Sequence, residues 1–327
     1  MSNAVPASLH STGTVGTNRD AEGSDAEFFG VDPMPTEVKV HDARRKSGGF
    51  TLDHNGFTLV EHAWAHIDYF DNTSIVHQYY AECESLVAAA TGASHVLAFD
   101  HNLRARQRKA QREALDGGGN AIQEPLITYG VHNDYSAASA PRRIQQLASA
   151  QLGVNDTLRA RTNAPPPLDA SQLDRLLAGR WLFINVWRNV SPTSPVVRHP
   201  LALCDATTVV PHDLVTFEIR YADRVGENYL ARHAEAHRWY YYPRLTRDEA
   251  VLIKCWDSRG ADFYAEGGGG GGSAAGGGGG GEVGSPTAAE AVPATFSLHT
   301  GFEDPATPES APERESIEVR CVAFLDA

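Results

Sequence analysis

Two stretches of this chain place metal-ligating side chains where one ion could use them. In Tyr129-Gly-Val-His132-Asn-Asp134-Tyr135-Ser136 an imidazole and a carboxylate stand two residues apart. On a strand, residues two apart point to one face, so both groups can reach the same metal. Near the C-terminus, Phe296-Ser-Leu-His299-Thr-Gly-Phe302 offers a further imidazole. Two histidines and one carboxylate leave open positions on the ion, the facial triad suited to non-haem Fe(II) and oxygen chemistry. H-x-D alone is a short motif, and the 14 histidines make its chance occurrence common. The order of the later elements adds what the motif lacks. Arg314-Glu-Ser316 follows His299, and the planar fork of an arginine pairs bidentately with a carboxylate. A jelly-roll oxygenase takes two ligands from an early strand and one from a late strand. It then takes an arginine from the last strand for the far carboxylate of 2-oxoglutarate. His132, Asp134, His299 and Arg314 stand in that order, with the Ser316 hydroxyl on the face of Arg314.

Other residues compete for these roles. His237, in HRWYYYP, is a rival third ligand in another register, but a histidine beside a core strand is usually a satisfied structural group. His212 and His233 read as surface or structural residues, and His101, in FDHNLR, as a turn or packing residue. Arg188 ends an apolar run and is a candidate to anchor a substrate carboxylate, with a structural ion pair as its rival role. Tyr135 and Phe302 adjoin the ligands and are candidates for the substrate wall, against plain core packing. Two other functions use the same residues differently. A zinc hydrolase accepts His and Asp ligands, although Arg314 has no evident task there. A non-catalytic jelly-roll binding protein would make H-x-D incidental.

These side chains need strands to hold them. Apolar runs at Trp181 to Trp187, Pro200 to Cys204, Arg238 to Tyr242, Val251 to Trp256, Phe296 to Phe302 and Ser316 to Phe324 predict strands, as does SHVLAFD. GFTLDHNGFTLV predicts a hairpin about Asp53 to Gly56. Apolar periodicity predicts a helix from Ile75 to Ala90 capped at Gly92. Further helices are expected at Arg104 to Leu115, Pro141 to Leu152 and Ser171 to Leu177, the last capped by Asp169. The basic run from Arg104 to Arg112 reads as a solvated helix face. Helices early and strands late predict a mainly β fold with N-terminal helices around a double-stranded β-helix (jelly-roll) core. Residues 1–35 lack periodicity and are expected to form a disordered tail. Residues 36–327 are expected to form one oxygenase domain with a Gly-rich surface loop at 267–291.

Net charge of -13 repels phosphate backbones and anionic lipid, so nucleic acid is not an expected partner. Cys83, Cys204, Cys255 and Cys321 form no C-x-x-C pair and read as buried thiols. No signal peptide or apolar span is evident, so a cytoplasmic location is expected, with no membrane partner. An oligomer is compatible with these features.

The chain also resembles a known family, the fungal and bacterial CmcJ/NvfI-like oxygenases, which are related to cephem methoxylation components and to AsaB-like fungal hydroxylase/desaturases. The resemblance covers roughly residues 38 to 325. It is carried by VHDAR, GFTLDHNGFTLVEH, HVLAFDHNLR, VHNDYS, FINVWRNV, PLALCDA, HRWYYYPRLTRDEAVLIKCWDS, HTGFEDP and RESIEVR. It implies Fe(II), 2-oxoglutarate and O2 as cofactors, with ascorbate added in assays, and a small-molecule substrate. It matches His132, Asp134 and His299 to the metal and Arg314 to the cosubstrate. The implied outcomes are hydroxylation, desaturation or ring closure such as aziridine formation, on a natural-product intermediate or an amino acid. The Gly-rich run departs from the family pattern by lengthening the approach to His299.

Overall fold

The computed structural model describes the chain apart from residues 1–2, 11–13, 20–24, 31, 64–66, 111–121, 126–129, 150–165, 222–223, 261–293 and 326–327. The strands, in chain order, are β1 (Asn3–His10), β2 (Val15–Arg19), β3 (Asp25–Phe29), β4 (Asp32–Val38), β5 (Val40–Asp42), β6 (Phe57–Glu61), β7 (His95–Ala105) and β8 (Trp181–Asn189). They continue with β9 (Leu201–Cys204), β10 (Leu214–Arg220), β11 (Val225–Ala231), β12 (Trp239–Tyr241), β13 (Glu249–Asp257), β14 (His299–Gly301) and β15 (Glu315–Phe324). Each predicted apolar run contains a strand, the Phe296 to Phe302 run only over His299–Gly301, and two sheets carry them. One is five-stranded and antiparallel, in the order β6-β13-β8-β15-β7. The other is four-stranded, in the order β14-β9-β12-β5. Their apolar residues share one core running from Val40 to Phe324.

β8 and β13 are buried at every position. A strand covered on both faces reads as a continuous apolar run rather than an alternation, which is how WLFINVWRN and EAVLIKCWD read. The covering layer on the outer face is helical. A π-turn over Ile75–Tyr79 leads into a helix over Tyr80–Thr91. Gly92 closes that helix in the left-handed region, its N–H bonded to Ala88 O at 2.8 Å, where a side chain would be strained.

Three expectations need revision. The hairpin is not formed: Thr51 accepts a hydrogen bond from His54 N–H and caps a helical turn, Leu52–Asn55, so Phe57–Glu61 alone of that stretch is strand. Gly56 ends the turn at φ 83°, and a Cβ there would lie 2.9 Å from the Ser297 Cβ. The Arg104 helix starts later, at Arg106, and is described to Ala110. Arg104 and Ala105 instead complete β7, because β15 supplies paired backbone along that whole length. The segment expected to form a tail contributes β1 to β4, with β2 lying parallel beside β10 and Val15 and Thr17 buried. A sheet edge offers backbone hydrogen bonds that require no side-chain pattern. The Gly-rich run lies outside the described residues.

Candidate metal and cosubstrate site

His132 and His299 come together through the backbone. The two residues exchange hydrogen bonds, His132 N to His299 O at 3.2 Å and His299 N to His132 O at 2.8 Å. Their rings lie 4.7 Å apart, centroid to centroid. Asp134 joins them by a route that strand alternation does not describe. It has φ 74°, a left-handed conformation that aspartate tolerates better than most residues, and this kink turns its carboxylate toward His132 Nε2, 3.5 Å from Oδ1. One ligand atom from each of the three residues lies within 4.8 Å of the others.

The site suits a divalent cation. His132 Nδ1 faces Gly130 O at 3.1 Å and His299 Nδ1 faces Ser297 O at 3.2 Å. A carbonyl at Nδ1 places the ring proton there and leaves Nε2 as the lone pair. Among the described residues the buried His299 Nε2 has no hydrogen-bond partner, a cost that a metal would remove. Burial and the neighbouring His132 lower the His299 pKa, which favours the neutral, ligating form. At Asp134 burial opposes ionisation, yet Arg320, His132 and His299 together hold the carboxyl well below its ordinary range.

The inner face of the five-stranded sheet supplies the rest. On β15, Ser316, Glu318 and Arg320 alternate with Ile317 and Val319. Arg320 pairs with Asn185 on β8 and Asp100 on β7, and Ser316 pairs with Asn189 and Arg104. Cross-strand partners share a face, so these polar groups all look inward. Arg314, two residues before Ser316, is buried, lies over the Trp187 ring at 5.6 Å and donates Nη1 to His199 O. Its Nε and the Ser316 Oγ are buried without partners. Burial, with Arg104 nearby, pulls the Arg314 pKa down to about 9. A buried cation with one vacant donor near a vacant hydroxyl could cradle a carboxylate.

Among the other expected residues, Tyr135 stacks on Phe183 at 4.2 Å and Phe302 packs edge-on to Tyr241 at 5.3 Å. Arg188 is not brought to the site. It alternates with Trp187 on β8 and faces the helical layer, donating to the Tyr79 hydroxyl, His62 O, Arg247 O and His62 Nδ1. Its guanidinium is a packing group there. His237 is held by Asp213 at 2.9 Å, His101 by Tyr80 at 2.9 Å, and His233 lies beside the exposed Glu235. Asn185, Arg320 and Cys255, which lie outside the H-x-D and R-x-S motifs, all surround the Asp134 carboxylate. Their signal was present: an amide inside the apolar run FINV, and charged residues at period two through RESIEVR.

Comparison with known proteins supplies the family. A family model described as oxidoreductase/YMDC permease-like domain matches residues 11–267 and 287–324. The Fe(II)/2-oxoglutarate-dependent dioxygenase nvfI of Aspergillus novofumigatus is 29% identical over 89% of this chain and 84% of its own. The hydroxylase/desaturase efuI of Hormonema carpetanum is 28% identical over 88% of this chain and 83% of its own. A solved structure of the iron and alpha-ketoglutarate-dependent endoperoxidase NvfI superposes with a TM-score of 0.70 at 24% identity, covering 100% of this chain and 98% of that one. The chain therefore belongs to the oxidoreductase/YMDC permease-like domain family, and its relatives include an Fe(II)/2-oxoglutarate-dependent dioxygenase and a hydroxylase/desaturase.

Proposed function

We propose that the protein is an Fe(II)/2-oxoglutarate-dependent oxygenase of small molecules, with the metal on His132, Asp134 and His299 and the cosubstrate's far carboxylate on Arg314 and Ser316. The observation that carries this reading is the convergence of one ligand atom each from His132, Asp134 and His299, with the His299 Nε2 buried and, among the described residues, unpartnered. The two sheets that frame it are, in this reading, the double-stranded β-helix of one oxygenase domain spanning residues 36–327. When bound, Fe(II) with 2-oxoglutarate and O2 would supply the oxidant that removes hydrogen from a substrate C–H bond, with release of succinate and CO2. The chain's own residues bind and orient. The imidazole Nε2 atoms and Asp134 hold the ion, and Arg314 and Ser316 fix the cosubstrate by a charge-assisted pair. Tyr135, Phe302 and Trp187 exclude water from the approach.

The placement of Arg188 bears on the substrate class: turned to the helices, it is not placed to anchor an amino-acid carboxylate at the site. Together with the hydroxylase/desaturase relatives this supports a natural-product intermediate, the reading we favour. Hydroxylation, desaturation and ring closure, including the aziridine case, remain the outcomes open to such chemistry. Four buried free thiols suit a reducing compartment, and no helix of the described residues is long and apolar enough to cross a membrane. The test is incubation with Fe(II), ascorbate, 2-oxoglutarate and a pool of extracted metabolites, following succinate and the gain of one oxygen or loss of two hydrogens by mass. Substrate-dependent succinate supports the reading. Tight zinc with hydrolysis and no succinate refutes it.

A further inference from the structure

A carboxylate ligates a metal through one oxygen or through both, and the two oxygens of Asp134 have unlike surroundings. Oδ1 faces His132 Nε2 at 3.5 Å. Oδ2 accepts a hydrogen bond from Asn185 Nδ2 at 2.6 Å, lies 3.6 Å from Arg320 Nε and stands 3.8 Å from the Cys255 thiol. These donors come from three adjacent strands, β8, β15 and β13, where Asn185 pairs with Arg320 on one side and Ile253 on the other. None of them is loosely placed. Asn185 and Cys255 are wholly buried, and Arg320 is gripped by Asp100 at 3.0 Å and Glu318 at 3.2 Å.

We propose that Asn185, Arg320 and Cys255 form a sleeve that withholds Oδ2 from the metal and makes Asp134 a one-oxygen ligand. The inference rests on the His132, Asp134 and His299 assignment above. Its consequence is coordination capacity. An octahedral ion held by three protein atoms keeps three positions, and a chelating carboxylate would take one of them. Bidentate 2-oxoglutarate would then fill the remainder and leave no position for a gas. Asn185 and Arg320 are thus positioning residues that act through Asp134, and the Asn185 amide, the nearest donor, carries most of the restraint.

Two measurements on the full chain separate this role from simple packing. Anaerobic titration with Co(II), followed by visible absorption, gives the metal affinity. Nitric oxide added to the Fe(II) protein holding N-oxalylglycine, an unreactive cosubstrate mimic, reports the last open position through the electron paramagnetic resonance of its iron adduct. Asn185→Ala frees Oδ2 to chelate. Metal affinity is expected to hold or rise, while nitric oxide, which must then compete with a chelating oxygen for the last position, binds about tenfold more weakly or worse, a cost of about 1.4 kcal/mol or more. Asn185→Val, which keeps strand preference, replaces it if the alanine variant fails to fold. Nitric oxide binding equal to wild type, or metal affinity falling as well, overturns the sleeve. So does a wild-type complex that takes up no nitric oxide. A wild type that binds neither Co(II) nor N-oxalylglycine fails earlier, and takes the ligand assignment with it.

Discussion

Arg314→Met should make the protein more stable without cosubstrate and indifferent to it, a pair of opposite signs that few structural roles produce. Arg314 is 4% exposed and, among the described residues, has no carboxylate in hydrogen-bond contact; its Nη1 rests on a carbonyl and its Nε has no partner there. Burial is the main cause that brings its pKa down to about 9, and Arg104 adds to it. At about 1.36 kcal/mol per decade of acidity, holding that charge costs the folded, cosubstrate-free protein about 5 kcal/mol. The carbonyl and the Trp187 ring return part of this. The penalty is fully present at neutral pH and is relieved only as pH rises past the folded pKa, where the buried group can lose its proton. Methionine keeps the stem over Trp187 and removes the charge, so stability without cosubstrate should rise by about 1–4 kcal/mol, the usual gain when a buried charge gives way to an apolar side chain. The same change removes the partner of the cosubstrate's far carboxylate and should weaken its binding by about 2–5 kcal/mol. Thermal melting of the metal-loaded protein with and without 2-oxoglutarate reads both. In wild type, ligand at a hundredfold its Kd adds about 2.7 kcal/mol, and in the variant at the same concentration that gain should fall below about 1 kcal/mol. A variant that melts lower alone and still gains from 2-oxoglutarate would refute the argument and move the cosubstrate's carboxylate elsewhere on the inner face.

The remaining expectations are simpler. His132→Ala, Asp134→Ala and His299→Ala should each abolish stoichiometric Co(II) binding while the protein stays folded by circular dichroism, whereas His237→Ala should keep the metal and lose about 1–3 kcal/mol of stability, because its partner Asp213 is buried. Arg188→Ala should lower stability by about 3 kcal/mol or more in denaturant titration, since that guanidinium serves the Tyr79 hydroxyl and two backbone carbonyls. Binding of N-oxalylglycine by the folded fraction should be unaffected. His101, whose pKa burial lowers to about 4, is neutral in the fold but takes a proton when unfolded below its ordinary value. Stability should therefore fall as pH drops from about 6.5 toward 4, by about 2 kcal/mol at pH 5 relative to pH 8. His101→Gln should flatten that part of the profile.

Strands and helices were legible in this chain because their signals are local. Trp181 to Trp187 and Val251 to Trp256 are apolar throughout, and a strand buried on both faces needs no more than that to be recognised. The cap at Gly92 and the Asp169 turn are set by residues a few positions away, and both formed. The candidate ligands stand out for a related reason: H-x-D, a late histidine and R-x-S follow one another in the order that the proposed chemistry would need, and the fold brings His132, Asp134 and His299 together. What the sequence could not decide was direction and partnership. Thr51 capping a turn in place of a hairpin, and β7 running on through Arg104, depend on the backbone that lies alongside them. The parity of β8, which sends Asn185 and Trp187 inward and Arg188 to the helices, is a register set by pairing with β15 and β13. Even the meeting of His132 with Asp134 rests on a left-handed kink rather than on strand alternation. Residue types can point to a candidate metal site, but the unlike surroundings of the two Asp134 oxygens come from side chains on three strands, and only the folded sheet brings those together.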